Sequence, residues 1–207
     1  MTHYGDTNVS ADPTDDSEPP LGLARGTVEL VSHDPAWHDA SDCEVERLRS
    51  LLETDVLGFE HVGSTAIPGI AAKPVVDLLS VVSDLDEADH LVAELEAAGY
   101  EERPDDGVPD RRFFARGPPS RRTHYLSVTE RGSDCHREQV TFRDSLRQEP
   151  KLAAEYDRLK RELADDYPDD RASYTAGKSS FVQSVLDRVD ERRSSVRQTE
   201  SGDIDDW

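Results

Sequence analysis

Apolar and polar residues recur along this chain with periods that separate its elements. Thr27-Val28-Glu29-Leu30-Val31 alternates with period two, as a half-buried strand does. From Pro35 to Leu52 the period lengthens to that of a helix, with Trp37, Val45, Leu48, Leu51 and Leu52 on one side. Asp34 is placed to cap that helix and Pro35 to occupy its first position. Two strands are expected next, Val56 to Val62 and Pro74 to Val82, the second apolar enough to be buried on both faces. Leu85, Ala88, Leu91, Val92 and Leu95 then predict an amphipathic helix over Asp84 to Gly99, with Gly99 as its stop.

Past Gly99 the pattern changes. Arg112 to Arg116 and Thr123 to Val128 read as strands around a Gly117-Pro118-Pro119 turn, which predicts a hairpin. Helical spacing returns over Cys135 to Arg147, Pro150 to Asp166 and Pro168 to about Arg192. A strand-rich front followed by a helical C-terminal portion is an α+β order, and a chain of 207 residues favours one domain. We place that domain at residues 25–192. Residues 1–24 and 193–207 are polar, largely acidic and poor in large apolar groups, so they are expected to be disordered tails.

Composition narrows the setting. The formal net charge is -21, and the only lysines are Lys73, Lys151, Lys160 and Lys178. A surface of Asp, Glu and Arg suits a halophilic host, where salt screens the mutual repulsion of carboxylates. The same charge argues against nucleic acid as a partner, because phosphates need a basic patch to neutralise them. No apolar run approaches the roughly eighteen residues of a membrane span, and Met1 to Pro20 lacks the basic and apolar regions of a signal peptide. A cytoplasmic location without membrane contact is therefore expected. Cys43 and Cys135 have no metal-ligand spacing and are too few for a disulfide framework.

The densest chemistry lies between Glu60 and Asp77. Gly63-Ser64-Thr65 follows a strand directly, where exposed backbone N–H groups and two hydroxyls can meet an anion such as phosphate. A Ser or Thr that only caps a short helix gives the same pattern. Asp77 interrupts the apolar run Val75-Val76-Asp77-Leu78-Leu79, and a buried carboxylate needs a cation, hydrogen bonds or a metal ion. Lys73, four residues earlier, is a candidate counter-charge or phosphate ligand. His61 and His124 sit on flanking strands as candidate bases or metal ligands, and Glu60 as a second metal ligand. Arg111, Arg112, Arg116, Arg121 and Arg122 form the one dense basic cluster, and Arg112 is a candidate phosphate ligand. Tyr174 and Lys178 share a helix face and can close over the same pocket. Asp105 to Asp110 lacks the spacing of a calcium loop. There is no GxxxxGK[ST], GxGxxG after the first strand, HExxH or GxSxG, which removes support for P-loop kinase, dinucleotide oxidoreductase, zinc protease and common esterase readings.

The strand, the Gly63-Ser64 turn and the strand carrying Asp77 resemble the nucleotidyltransferase superfamily. More narrowly, the whole run resembles the GrpB family, as do Val28-Glu29-Leu30 with Asp34-Pro35-Ala36-Trp37, Arg111-Arg112-Phe113-Phe114, Thr123-His124-Tyr125-Leu126, Phe142-Arg143-Asp144 and Tyr174 to Phe181. The resemblance implies a nucleotidyltransferase-like mixed β-sheet flanked by helices. It also implies that the Gly63-Ser64 turn meets phosphate and that Asp77 holds Mg2+; with Thr65, Lys73, Arg112 and Lys178 as further candidate ligands, a nucleotide or another phosphorylated small molecule is expected there. Active nucleotidyltransferases carry a second carboxylate two positions later on the strand, where this chain has Leu79. Two functions stay open on that basis: a nucleotidyl- or phosphoryl-group transferase, and a non-catalytic nucleotide- or anion-binding module. A third is an interaction protein that uses its C-terminal helices.

Overall fold

The computed structural model describes residues 21–52, 56–104 and 107–202. Its centre is the apolar strand β2 (Val76–Val82), which has neighbours on both sides. β1 (Gly58–Val62) lies antiparallel to it on one side, and β5 (His124–Glu130) lies parallel on the other. β4 (Arg111–Arg116) pairs antiparallel with β5 through the expected hairpin, and β3 (Tyr100–Glu102) completes the order β1-β2-β5-β4-β3. The sheet is mixed, and helices flank it, so the fold is α+β.

Side chains alternate across a strand, so the pairing register decides which residues share a face. Leu78, Leu126 and Phe114 fall on one face and pack with Trp37, Leu48 and Leu52 of α1 (Ala36–Leu52) and with Leu91 and Leu95 of α2 (His90–Ala97). Asp77, Tyr125 and Ala115 fall together on the other. Helices α3 (Asp134–Gln148), α4 (Pro150–Asp166), α5 (Arg171–Gly177) and α6 (Ser179–Gly202) follow β5 in the chain. A second apolar cluster, including Ile67, Ile70, Leu146, Leu152, Tyr156 and Val185, joins these helices to the loop after β1.

Several expectations change. Thr27 to Val31 forms no strand: Val31 makes a single bridge to Ala72, and Val28 donates its N–H to Pro168. Alternation needs a partner edge, and these two contacts are with loop residues instead of a strand. The helix expected over Asp84 to Gly99 divides into a 3-10 turn at Asp86–Asp89 and α2, with the Asp84 carboxylate accepting from the Asp86 N–H at 2.8 Å. The last helix divides at Lys178 into α5 and α6. Leu21 and Leu23 are buried, with Leu23 bridging Arg122, so the ordered chain starts before residue 25, and α6 continues past residue 193 to Gly202. Residues 1–20 and 203–207, and Asp105 and Asp106 of the acidic turn, lie outside the described residues.

Candidate functional site

The turn after β1 is shaped by one close approach. Gly63 has φ 70°, a backbone that L side chains avoid, and a Cβ on it would stand 2.5 Å from Asp77 Oδ2. Only glycine lets the turn lie against that carboxylate. Ser64–Ala66 then makes one 3-10 turn instead of the helix start expected from sequence, so it has no useful helix dipole. The C-terminal helices hold this turn and the loop after it. Arg147 Nε donates to the Ala66 carbonyl at 2.8 Å, and Arg143 donates to the His61 carbonyl at 3.0 Å. Asp157 accepts from the Ala71 N–H at 2.6 Å, and the buried Lys160 ammonium donates to the Ala71 carbonyl.

Between the turn, β2 and these helices lies a cavity of about 480 Å³ whose walls include Gly63, Ser64, Lys73, Asp77, Tyr174 and Lys178. Arg111 of β4 and Arg171 of α5 complete a ring of four cationic side chains whose fields reach Asp77. Burial pushes the Asp77 carboxyl up, and Lys73, Arg171, Lys178 and Arg111 oppose that rise. Burial lowers the Lys178 ammonium to about 7, with the Lys73 charge adding to the fall. It lowers Lys73 to about 8, with Arg171 acting the same way. Both ammoniums lie over the Tyr174 ring, Lys178 at 4.4 Å and Lys73 at 5.5 Å from its centroid. Burial raises the Tyr156 hydroxyl to about 12, against an opposing effect of Ser64.

The GrpB family model matches residues 27–188, which spans the sheet, this cavity and most of the C-terminal helices. The chain belongs to the GrpB family. A crystal structure of the conserved protein GrpB from Enterococcus faecalis superposes with a TM-score of 0.72 at 31% identity, covering 80% of this chain and 99% of that one. The glutamate-rich protein GrpB of Alkalihalophilus pseudofirmus is 35% identical over 82% of this chain and 99% of its own. UPF0157 protein YqkA of Bacillus subtilis is 33% identical over 76% of this chain, which spans about half of that relative, 46% of its length. A dephospho-CoA kinase of Mycolicibacterium paratuberculosis is 30% identical over 81% of this chain and 47% of its own.

Of the residues singled out from sequence, Gly63, Ser64, Thr65, Lys73, Asp77 and Lys178 all border this one cavity of the GrpB fold. Thr65 is nonetheless committed: it is buried, and its hydroxyl lies 3.0 Å from His61 Nε2. Four residues lie elsewhere. His61 pairs with Leu78, whose side chain is in the α1 core, and its ring meets His38 of α1 at 5.2 Å. His124 pairs with Val76 and Arg116 on that same face and feels Glu44 of α1. Arg112 pairs with Val128 there and forms ion pairs with Asp89 and Glu102. Strand parity therefore sets these three on the opposite side of the sheet from Asp77. Glu60 shares the face of Asp77 through Leu79 and Val62, but Arg143 takes its carboxylate at 2.7 Å and it does not line the cavity.

The site contains residues that sequence reasoning passed over. Arg111 takes the place proposed for Arg112, one residue along the strand. Arg171, Tyr125 and Tyr156 also line the cavity and were not assigned to it. The signal for β5 was present: Leu126 and Val128 share parity with His124, so the apolar face claims the histidine and leaves Tyr125 to the cavity. For β4 parity was silent, because Phe113 and Phe114 are adjacent and either could be core.

Proposed function

We propose that this GrpB-family protein binds a nucleotide or another phosphorylated small molecule in the Asp77 cavity. The observation that carries the reading is charge: Lys73, Arg111, Arg171 and Lys178 converge on one cavity in a chain of net charge -21. Among the described residues its deep wall has one carboxylate, Asp77, and Glu138 is an exposed lining residue. Burying the Lys73 and Lys178 ammoniums side by side is costly, and a phosphate offsets that cost with charge-assisted hydrogen bonds. The acidic remainder of the surface repels extended polyanions, which favours a compact ligand over nucleic acid. Likeness to part of a dephospho-CoA kinase supports a phosphorylated ligand as well. The lysine-poor acidic surface and the lack, among described residues, of a helix long and apolar enough to cross a membrane support a salt-rich cytoplasm.

A transferase activity is the second reading, favoured by the contact between the Gly63 turn and Asp77, which would bring a bound phosphate to the carboxylate. The donor set does not fit the magnesium pair that such transfer employs. Leu79 stands fully buried at the second carboxylate position, Arg143 engages Glu60, and the cations crowding Asp77 oppose another positive charge. No group of three His, Cys, Asp or Glu among the described residues is arranged to hold a metal. Binding is therefore expected to need no magnesium.

Calorimetric titration with ATP and with coenzyme A, each with and without magnesium, tests this. At least one should bind, magnesium should change the affinity little, and Lys73→Met should weaken binding by about tenfold or more, the worth of a charge-assisted hydrogen bond. Binding indifferent to Lys73→Met would place the ligand elsewhere. Binding that requires magnesium, with ATP consumed, would favour the transferase.

A further inference from the structure

A second cavity, of about 680 Å³, opens on the same face of the sheet and shares Val108, Arg111, Phe113, Tyr125, Arg171 and Thr175 with the first. The two form one cleft with a waist. At that waist the Phe113 and Tyr125 rings stand 5.3 Å apart. The Arg111 guanidinium lies 4.6 Å over Phe113, and that of Arg171 lies 5.2 Å over Tyr125. A guanidinium stacked on a ring presents its edge N–H groups to a planar anion.

Beyond the waist the walls add Arg25, Arg103 and Arg122, so five arginines line this chamber and, among the described residues, no carboxylate does. Arg122 is almost wholly buried, and it donates to the Gly117 carbonyl at 2.6 Å. Beside the chamber, on the face that Ala115 shares, the half-exposed Glu101 accepts from Arg122 and, at 3.2 Å, from Arg103, which leaves Arg25 and Arg171 outside that ion-pair network. A protein this acidic has carboxylates to spare for its surface arginines. Gathering five guanidiniums around a single cavity runs against that composition. The remaining walls, including Pro104, Val108, Phe113 and Ala115, are apolar and weaken no guanidinium by hydration.

We propose that this arginine chamber is a second anion site, for a phosphate or carboxylate group. The protein then takes small molecules with two separated anionic groups, or two anionic ligands side by side, joined across the aromatic waist. One anion sits in the Asp77 cavity, which rests on the phosphate-binding function proposed for it, and the other among Arg25, Arg103, Arg122, Arg111 and Arg171. The chamber adds Arg25, Arg103 and Arg122 to the two arginines it shares, where the Asp77 cavity adds Lys73 and Lys178, so the chamber favours anions that take bidentate guanidinium contacts.

Inorganic pyrophosphate is the probe, titrated by calorimetry at one fixed salt concentration. Wild-type protein is expected to bind two equivalents. Ala172→Glu places a carboxylate in the chamber from an exposed helical position that does not border the Asp77 cavity. It should remove one equivalent and leave the other within about twofold of its wild-type affinity. Arg103→Gln should weaken that same equivalent by about tenfold, and Lys73→Met should weaken only the other. One equivalent in wild type, abolished by Lys73→Met and untouched by Ala172→Glu, would overturn the chamber and spare the Asp77 reading. One equivalent abolished by Ala172→Glu and untouched by Lys73→Met would do the reverse. Two equivalents that both ignore Ala172→Glu would also overturn the chamber. Competition by succinate for the chamber equivalent identifies a carboxylate site, and its failure identifies a phosphate site.

Discussion

The two faces of the sheet both hold buried charge, and they treat it in opposite ways. On the α1 face, Glu44 is only 4% exposed and accepts from Arg47 Nη2 at 2.5 Å, from Tyr100 Oη at 2.8 Å and from Arg116. Burial works to raise that carboxyl, and the hydrogen bonds from Arg47 and Tyr100 with the Arg116 charge hold it below its ordinary value. Arg112 is paired with Glu102 and Asp89 in the same way. On the other face, burial depresses Lys73 and Lys178 to about 8 and about 7, and it raises Asp77. A network whose members return toward full charge is structural. A network whose members are driven toward neutrality is strained, and an incoming anion relieves it.

The largest expected effect is on the matched face. Glu44→Gln leaves the buried Tyr100 hydroxyl and two guanidiniums without their carboxylate, so it should cost about 2–3 kcal/mol of stability in denaturant titration. Arg47 and Arg116 are each about one-third exposed and can turn toward water, which keeps the loss at that level. Phosphate binding should be unchanged. If Glu44→Gln instead abolished binding and left stability intact, the assignment of the two faces would have to be exchanged.

The opposite sign is expected across the sheet. Lys178→Met removes a charge crowded by Lys73, Lys160 and Arg171 and keeps the apolar stem over Tyr174. Stability of the ligand-free protein should rise by about 1–2 kcal/mol while phosphate affinity falls. A loss of both would mean that the Lys178–Asp77 attraction outweighs the crowding, making this pair structural as well.

How much of this is legible in the sequence follows from what a residue pattern can encode. β2, β5 and the helices α1, α3 and α4 announce themselves because each is long enough for its period to repeat. β3 is three residues, two of them glutamates, and exists only because β4 offers it an edge. Thr27 to Val31 has the alternation and lacks the edge. In the site, the run from Gly63 to Asp77 stands out because a glycine-serine turn and a carboxylate within an apolar strand are both unusual. Arg171 lies among acidic neighbours, Asp169 and Asp170, at a helix start and carries no local sign of where it points. Its place in the ring is set by the packing of α5, which no short window contains. The choice between Arg111 and Arg112 depends on register, and register is a property of two strands.

The effect that is smallest at neutral pH concerns His61, and it grows only in acid. Its Nε2 meets Thr65, while its Nδ1 is buried without a hydrogen-bond partner among the described residues, so the ring has no acceptor for a second proton. Burial, with His38, Arg147, Arg143 and His124 adding to it, lowers this imidazole from 6.5 to about 3. Between those values the unfolded chain binds a proton that the folded chain refuses. Stability therefore falls as pH drops from 6.5 toward 3, and the penalty is absent above 6.5. His61→Gln, which keeps a donor for Thr65 and cannot be protonated, should flatten the acid limb of a stability-against-pH curve by at most about 1.4 kcal/mol per pH unit. His124, lowered to about 4 chiefly by burial, continues to contribute in the same direction, so the limb becomes shallower without becoming level. An unchanged acid limb in the variant would mean that His61 is already solvated in the folded protein, and the α1 face would then be open to water at that edge instead of closed and structural.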